Sequence, residues 1–192
     1  MLGVMPRWEP DAVGRLQAAA FELFAEQGFE RTTIAEITQR AGLTRRTFFK
    51  YFADKREVLF GPLSEGQRGI VVREIAASPD PLPPLDAVVR GLQIAGDTLF
   101  EGRRDAVARR QEIVDANPEL HERELRKRAA LTDAIADALR LRGIDSDTAI
   151  LSARVGVLVQ QTAMQRWTQS ADGRPLRELL AEALLSLRTI VG

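Results

Sequence analysis

Two cations and a hydroxyl, Arg46, Thr47 and Lys50, are the side chains in this sequence best placed to do chemistry on an anion. They lie in RRTFFKYF, residues 45–52. On a helix, Phe48 and Phe52 share one side of this stretch, while Arg46 and Lys50 share the other. Such a helix can sink its rings into a core and offer its cations to phosphate oxygens or to the acceptor edges of bases. Other chemistries have little to stand on. The chain has no cysteine, so neither a disulfide framework nor a thiolate metal site is available, and one histidine, His121, cannot build a zinc centre by itself. Residues 60–192 contain no evident nucleophile–base pair, glycine-rich phosphate loop or carboxylate constellation, so no catalytic residue, metal ligand or cofactor is assigned and an enzyme is not expected.

Local signals around that stretch predict the elements that would hold it. Thr33 followed by Glu36 has capping-box spacing, which starts a helix at Thr33. Ile34, Ile37 and Ala41 give that helix a narrow apolar stripe, and Gly42 supplies the left-handed residue that stops it. Thr44 is a good N-cap for a second helix, from about Arg45 to Phe52, so the connection has the length expected of a helix-turn-helix. Asp54 and Glu57 cap a third helix and put Lys55 near its first turn, where a cation needs an anion close by. Upstream, a helix from Pro10 carries Val13, Leu16, Ala20, Leu23 and Phe24 at helical spacing and ends at Gly28. Residues 1–8 have no periodicity and are read as a loose arm.

Charge is concentrated in the same place. From Arg40 to Arg56 there are six basic residues (Arg40, Arg45, Arg46, Lys50, Lys55, Arg56) and one acid, Asp54, a balance of +5. The whole chain of 192 residues sums to zero from 27 basic and 27 acidic residues, so the remainder carries −5. On a helix-turn-helix frame this asymmetry is the footprint of a phosphate-backbone binder, although short basic helices are also common on solvated surfaces. With 45% hydrophobic and 28% charged residues, the composition is that of a globular protein and excludes disordered and collagen-like classes. No apolar run approaches the roughly 20 residues that cross a bilayer. The N-terminus lacks the apolar core of a secretion signal, and a cytoplasmic protein with no membrane partner is expected.

The pattern T-x-x-x-I-x-x-x-A-G-L-T-x-x-T-F-F-x-Y-F-x-x-K-x-x-V-L, from Thr33 to Leu59, resembles the N-terminal DNA-binding domain of the tetracycline-repressor (TetR) family of bacterial regulators. The resemblance begins in the preceding helix and ends at Leu59. It departs from the usual family pattern at Arg46, where glycine is common, at Phe48, where leucine is usual, and at Thr38, where alanine is usual. Phe49 stands where a tyrosine often gives its hydroxyl to a phosphate, and Arg46 is a candidate to replace that contact. Arg45, Arg46, Thr47 and Lys50 are assigned to base edges or nearby phosphates, and Thr33, Thr44, Tyr51 and Lys55 to phosphate positioning. The expected partner is double-stranded DNA with an inverted repeat.

The rest of the chain reads as helices. Periodicity resumes through Ile70, Val71 and Ile75, and the proline-rich turn 78–84 follows. Next come helices over 85–100 (Val88, Leu92, Ala95, Leu99 on one face), 103–115 and 118–142, the last with Leu120, Leu131, Ile135 and Leu139 inward. The run His121 to Arg128 is expected to be a solvated face with weak ion pairs. Residues 149–167 are apolar on nearly all sides, which predicts burial on all sides, and 176–190 carry one apolar stripe.

The fold expected is all-α: a three-helix helix-turn-helix head over residues 9–59 and a C-terminal helical bundle over residues 60–192, paired as a homodimer through the last two helices. Ala153, Val157, Met164, Leu176, Leu179, Leu180, Ala183, Leu184 and Leu187 are the interface candidates, and completion of the monomer core is the alternative for the same residues. The family resemblance implies a small-molecule pocket in the second domain, whose effector releases DNA. Phe60, Ile94, Thr98, Ile113, Leu158, Thr162 and Trp167 are the candidates, each of which could equally be plain core. The function expected is a ligand-responsive transcriptional regulator, a repressor released by a small hydrophobic molecule. A small-molecule-binding or enzymatic helical protein with a head that no longer binds DNA, and a helical interaction protein, are the competing readings.

Overall fold

The structure, a computed structural model, describes residues 11–170 and 172–191, so the N-terminal arm and Pro10 lie outside it. Among the described residues there is no strand. The helices are α1 (Ala12–Gln27), α2 (Ile34–Arg40), α3 (Arg45–Tyr51), α4 (Glu57–Ala76), α5 (Pro84–Leu99), α6 (Arg104–Asp115), α7 (Pro118–Leu141), α8 (Ser146–Gln169) and α9 (Leu176–Val191). They form two compact units, one ending at Gly61 and the other beginning at Pro62.

In the first unit α1 is the wall on which α2 and α3 pack. Its start is set by Asp11, which adopts a left-handed conformation and accepts the Gly14 N–H on its carboxylate at 2.9 Å. Leu16, Ala20, Leu23 and Phe24 are buried, as their spacing predicts. The ring of Phe29 meets Phe24 edge-on, with 5.2 Å between centroids. Two long polar side chains of α1 then tie the unit together. Arg15 Nη2 donates to the Ala41 carbonyl at 2.6 Å, at the end of α2, and Gln17 Nε2 donates to the Val58 carbonyl at 3.0 Å. The third helix predicted from Asp54 and the one predicted through Ile75 are a single element, α4, broken by non-helical torsions at Gly61.

The second unit is a helical bundle whose core includes Val88 and Leu92 of α5, Ile135 and Leu139 of α7, Trp167 of α8 and Leu180 of α9. Helix α5 runs close to two of its neighbours. A Cβ on Gly156 of α8 would fall 2.4 Å from Val88 Cγ1, and one on Gly91 of α5 would fall 3.2 Å from the Val71 carbonyl oxygen of α4. A larger residue at Gly156 would require the Val88 side chain to shift.

Three expectations are corrected here. The charged run on α7 is not solvated throughout: Glu124 is largely buried, ion-paired to Arg110 of α6 and 3.2 Å from Arg128 one turn along. Within one chain helix α8 is not buried on all sides, since Leu151 and Leu158 are 64% and 54% exposed. The apolar stripe of α9 does not reach its end, because Ile190 is 81% exposed.

Burial alone would raise the Glu124 carboxyl, but the Arg110 and Arg128 guanidiniums outweigh it and hold the group below the ordinary glutamate range. A carboxyl depressed by folding contributes stability that is complete above its unfolded value, about 4.3, and is lost as pH falls through the folded one. We expect Glu124→Gln to lower the urea midpoint at pH 7. The gap to the parent should close as both are acidified to about pH 3. A gap that stays constant over that range would show that the carboxylate charge is not what the two arginines hold.

Candidate nucleic-acid interface

The interface is built from two caps and one turn. Thr33 caps α2 with a complete capping box: Glu36 N–H donates to Thr33 Oγ1 at 3.2 Å, and Thr33 N–H donates to Glu36 Oε2 at 2.8 Å. The Thr33 hydroxyl also donates to the same carboxylate at 2.7 Å, and this bond is the largest of the causes that lower the Glu36 pKa. Helix α2 then closes at Gly42, at φ 65°, where a side chain would be strained. Leu43 N–H folds back to the Thr38 carbonyl at 2.8 Å. Thr38 is buried, but its hydroxyl is satisfied by the Ala35 carbonyl at 3.0 Å, so the departure from alanine leaves no orphan. Thr44 caps α3, accepting Thr47 N–H at 3.1 Å, and the two threonine hydroxyls lie 2.9 Å apart.

Helix α3 is oriented by its rings. Phe48 and Phe52 are fully buried, with centroids 5.4 Å apart, so the other sides of the helix are turned to solvent. Arg45, Arg46 and Lys50 are exposed. Arg45 and Arg46 make no hydrogen bond or ion pair to any described residue, and Lys50 Nζ stands 5.1 Å from the ring centroid of Tyr51. Thr47 is half-buried beside them and Tyr51 is exposed.

The other three cations of the basic stretch have partners inside the head. Arg40 reaches back to α1, 2.7 Å from Glu26 and 3.4 Å from Glu22. Its hydrogen bond to Glu26 raises the guanidinium pKa further and lowers that of the carboxyl. Arg56 pairs with Asp54 at 3.3 Å. Lys55 donates to the carbonyls of Phe29 at 2.6 Å, Thr32 at 3.0 Å and Glu30 at 3.3 Å, with its Nζ 4.2 Å from the Phe29 ring centroid. It also precedes α4 rather than sitting in its first turn. The sequence places it against a phosphate; the structure uses its donors to bind the α1–α2 connection. Glu22 and Glu26, one turn apart on α1, are the signal that sequence reasoning missed for Arg40.

The remaining assigned residues are not brought together. Of the pocket candidates, Phe60 is buried and belongs to the first unit. Ile94 and Ile113 are half-buried. Leu158, Thr98 and Thr162 are exposed, with the threonine hydroxyls donating to carbonyls of their own helices, Ile94 at 2.7 Å and Leu158 at 3.1 Å. Trp167 is buried with the Arg104 guanidinium over its ring, beside a polar cleft lined by Arg103, Asp105 and Arg109 among others. The interface candidates pack largely within the single chain. Ala153, Val157, Leu176, Leu179, Leu180, Ala183 and Leu184 are buried in the chain's own core, with Met164 and Leu187 packed against it. Met164 and Leu187 are only partly covered in the single chain. The exposed apolar groups on the last two helices are instead Leu151, Leu158, Leu185, Ile190 and Val191.

A short outward-facing helix, held by a capped partner helix across a glycine turn, defines a helix-turn-helix DNA-binding head. The family model described as bacterial regulatory proteins, tetR family, matches residues 16–60, which lie within the first unit. The chain is 31% identical to the HTH-type transcriptional regulator TcmR of Streptomyces glaucescens over 67% of its own length and 59% of that protein. It is 25% identical to a putative mycofactocin biosynthesis transcriptional regulator, MftR, of Mycobacterium tuberculosis, over 90% of this chain and 85% of that one. A solved structure of Thermus thermophilus FadR, a tetR-family transcriptional repressor in complex with lauroyl-CoA, superposes with a TM-score of 0.54 at 27% identity, covering 92% of this chain and 93% of that one. The chain belongs to the tetR family of bacterial regulatory proteins.

The two roles available to Lys55 separate experimentally. With its ammonium spent on three carbonyls, Lys55→Met should destabilise the protein by about 1–3 kcal/mol, the cost of stranding buried acceptors, in urea unfolding. It should leave the salt dependence of DNA binding unchanged. A variant of parental stability whose log–log salt slope drops by about 1 would return Lys55 to a phosphate.

Proposed function

We propose that this chain is a ligand-responsive DNA-binding transcriptional regulator, a repressor that leaves its operator when a small hydrophobic molecule occupies its second domain. The observation that carries the proposal is the exposed face of α3, on which, among the described residues, Arg45 and Arg46 have no partner and Lys50 leans on Tyr51. Cations left unpaired in a head that engages Arg40, Lys55 and Arg56 internally fit a phosphate-bearing ligand. They also favour a working head over a vestigial one. The head, up to about Leu59, reads DNA; Arg45, Arg46, Thr47 and Lys50 meet base edges or adjacent phosphates, and Thr33, Thr44 and Tyr51 lie along the backbone.

A single seven-residue helix makes few base contacts, so the active form is a homodimer on an inverted repeat. The pairing surface is the exposed apolar side of α8 and α9, centred on Leu151, Leu158 and Leu185. The effector acts by population shift: it binds better to the form whose head spacing does not fit the operator, and so lowers the fraction that does. The lauroyl-CoA carried by the Thermus thermophilus FadR structure supports a hydrophobic or acyl effector as the first class to screen.

Enrichment of binding sites from random duplex DNA, followed by gel shift at two salt concentrations, tests the DNA-binding claim. The parent should enrich an inverted repeat, and Lys50→Ala should bind it more weakly with a log–log salt slope smaller by about 1. Failure to enrich any sequence, or a Lys50→Ala variant of unchanged affinity and slope, would take the face of α3 out of the interface. Leu158→Glu tests the pairing surface independently. Being exposed, it should leave the helical content intact while sedimentation shifts from dimer to monomer, and a variant that stays dimeric places the interface elsewhere.

A further inference from the structure

Among the cations of α3 sits an apolar ring that the phosphate chemistry does not use. Phe49 is 52% exposed, and its one ring partner among the described residues is Phe48, met edge-on with 5.5 Å between centroids. Leaving half a phenyl ring in water forgoes the burial that Phe48 and Phe52 enjoy on the same helix. The ring carries no hydrogen-bonding atom, so it cannot hold a phosphate as a tyrosine hydroxyl could. Its helical neighbours at one turn's distance are Arg45 and Arg46, both exposed and both unpartnered among the described residues. Tyr51 differs in each respect: it has a hydroxyl, it is 39% exposed, and Lys50 leans over its ring.

A helix that places Arg45 and Arg46 on base edges or nearby phosphates carries Phe49 to the same groove wall. The major groove displays one apolar group, the C5 methyl of thymine; the other features it shows are hydrogen-bond donors and acceptors. We propose that Phe49 is a specificity-determining residue that selects thymine by packing its ring against that methyl. This rests on the DNA-binding function proposed above and adds to it which base is read without a hydrogen bond. The ring and the guanidiniums then divide the work, with the cations supplying affinity that depends on salt and the phenyl supplying discrimination that does not.

Deoxyuridine in place of thymine removes the methyl and keeps base pairing, so it isolates the contact. The test uses the full chain and the inverted repeat that it enriches from random duplexes, replacing each thymine of one half-site in turn. For the parent, one replacement should weaken binding about fourfold, the worth of one methyl-sized apolar group withdrawn from water, with an unchanged salt slope. Phe49→Ala, at an exposed position and with circular dichroism to verify folding, should bind the thymine and uracil sites equally and should enrich a motif that has lost its preference at that position. Phe49→Leu, which keeps an apolar side chain, should retain part of the discrimination. A parent indifferent to every thymine-to-uracil replacement overturns the inference alone. So does a Phe49→Ala variant that keeps the parental sensitivity, or one that weakens binding equally on all sequences, which would place the ring on the sugar–phosphate backbone. A parent that enriches no sequence at all overturns the regulator proposal and this inference together.

Discussion

The burial of Phe48 and Phe52 is the constraint from which the rest of the head follows. A helix of seven residues in water has too few hydrogen bonds to offset its nucleation cost, so α3 exists because its rings are withdrawn into the core of the head. Once those two rings are fixed, the direction of every other side chain on the helix is fixed with them. The threonine caps and the glycine turn set where the helix begins, and the rings set which way it faces. The protein needs no further device to present Arg46 and Lys50 outward.

Electrostatics refine what the rings begin. Six basic residues crowd a short stretch of sequence, yet they do different work. Arg40 is paired with the Glu22 and Glu26 carboxylates of α1 and Arg56 with Asp54, while the Lys55 ammonium donates to carbonyl oxygens of the α1–α2 connection. Those three hold the head together. Arg45, Arg46 and Lys50 have no acidic partner among the described residues, so the effective positive surface is smaller and more sharply placed than the linear count of charges suggests.

The elements of the head were legible because their signals are local. Thr33 with Glu36, Gly42, and Thr44 each act within one helical turn of themselves, and a sequence displays such distances directly. What lay further away was not legible. Nothing near Lys55 announces that carbonyls some 25 positions earlier will fold onto it, and the acids that claim Arg40 sit on another helix. The same limit governs α8 and α9. Periodicity identifies an apolar face, but on a helix with two such faces it cannot say which one the chain keeps for its own core. Ala153, Val157 and Leu180 therefore turned out to be interior, while Leu151 and Leu158 remain uncovered. A ligand pocket is least legible of all, because a core side chain and a pocket lining share one residue type and one spacing.

The brevity of α3 bears on what a damaged or half-made chain can do. Its cations belong to the sequence and survive unfolding, whereas their arrangement belongs to the packed head and does not. A nascent or heat-denatured copy would keep a diffuse attraction for polyanions yet lose any preference among base sequences. Any competence to select a site would thus arrive and depart with the tertiary structure.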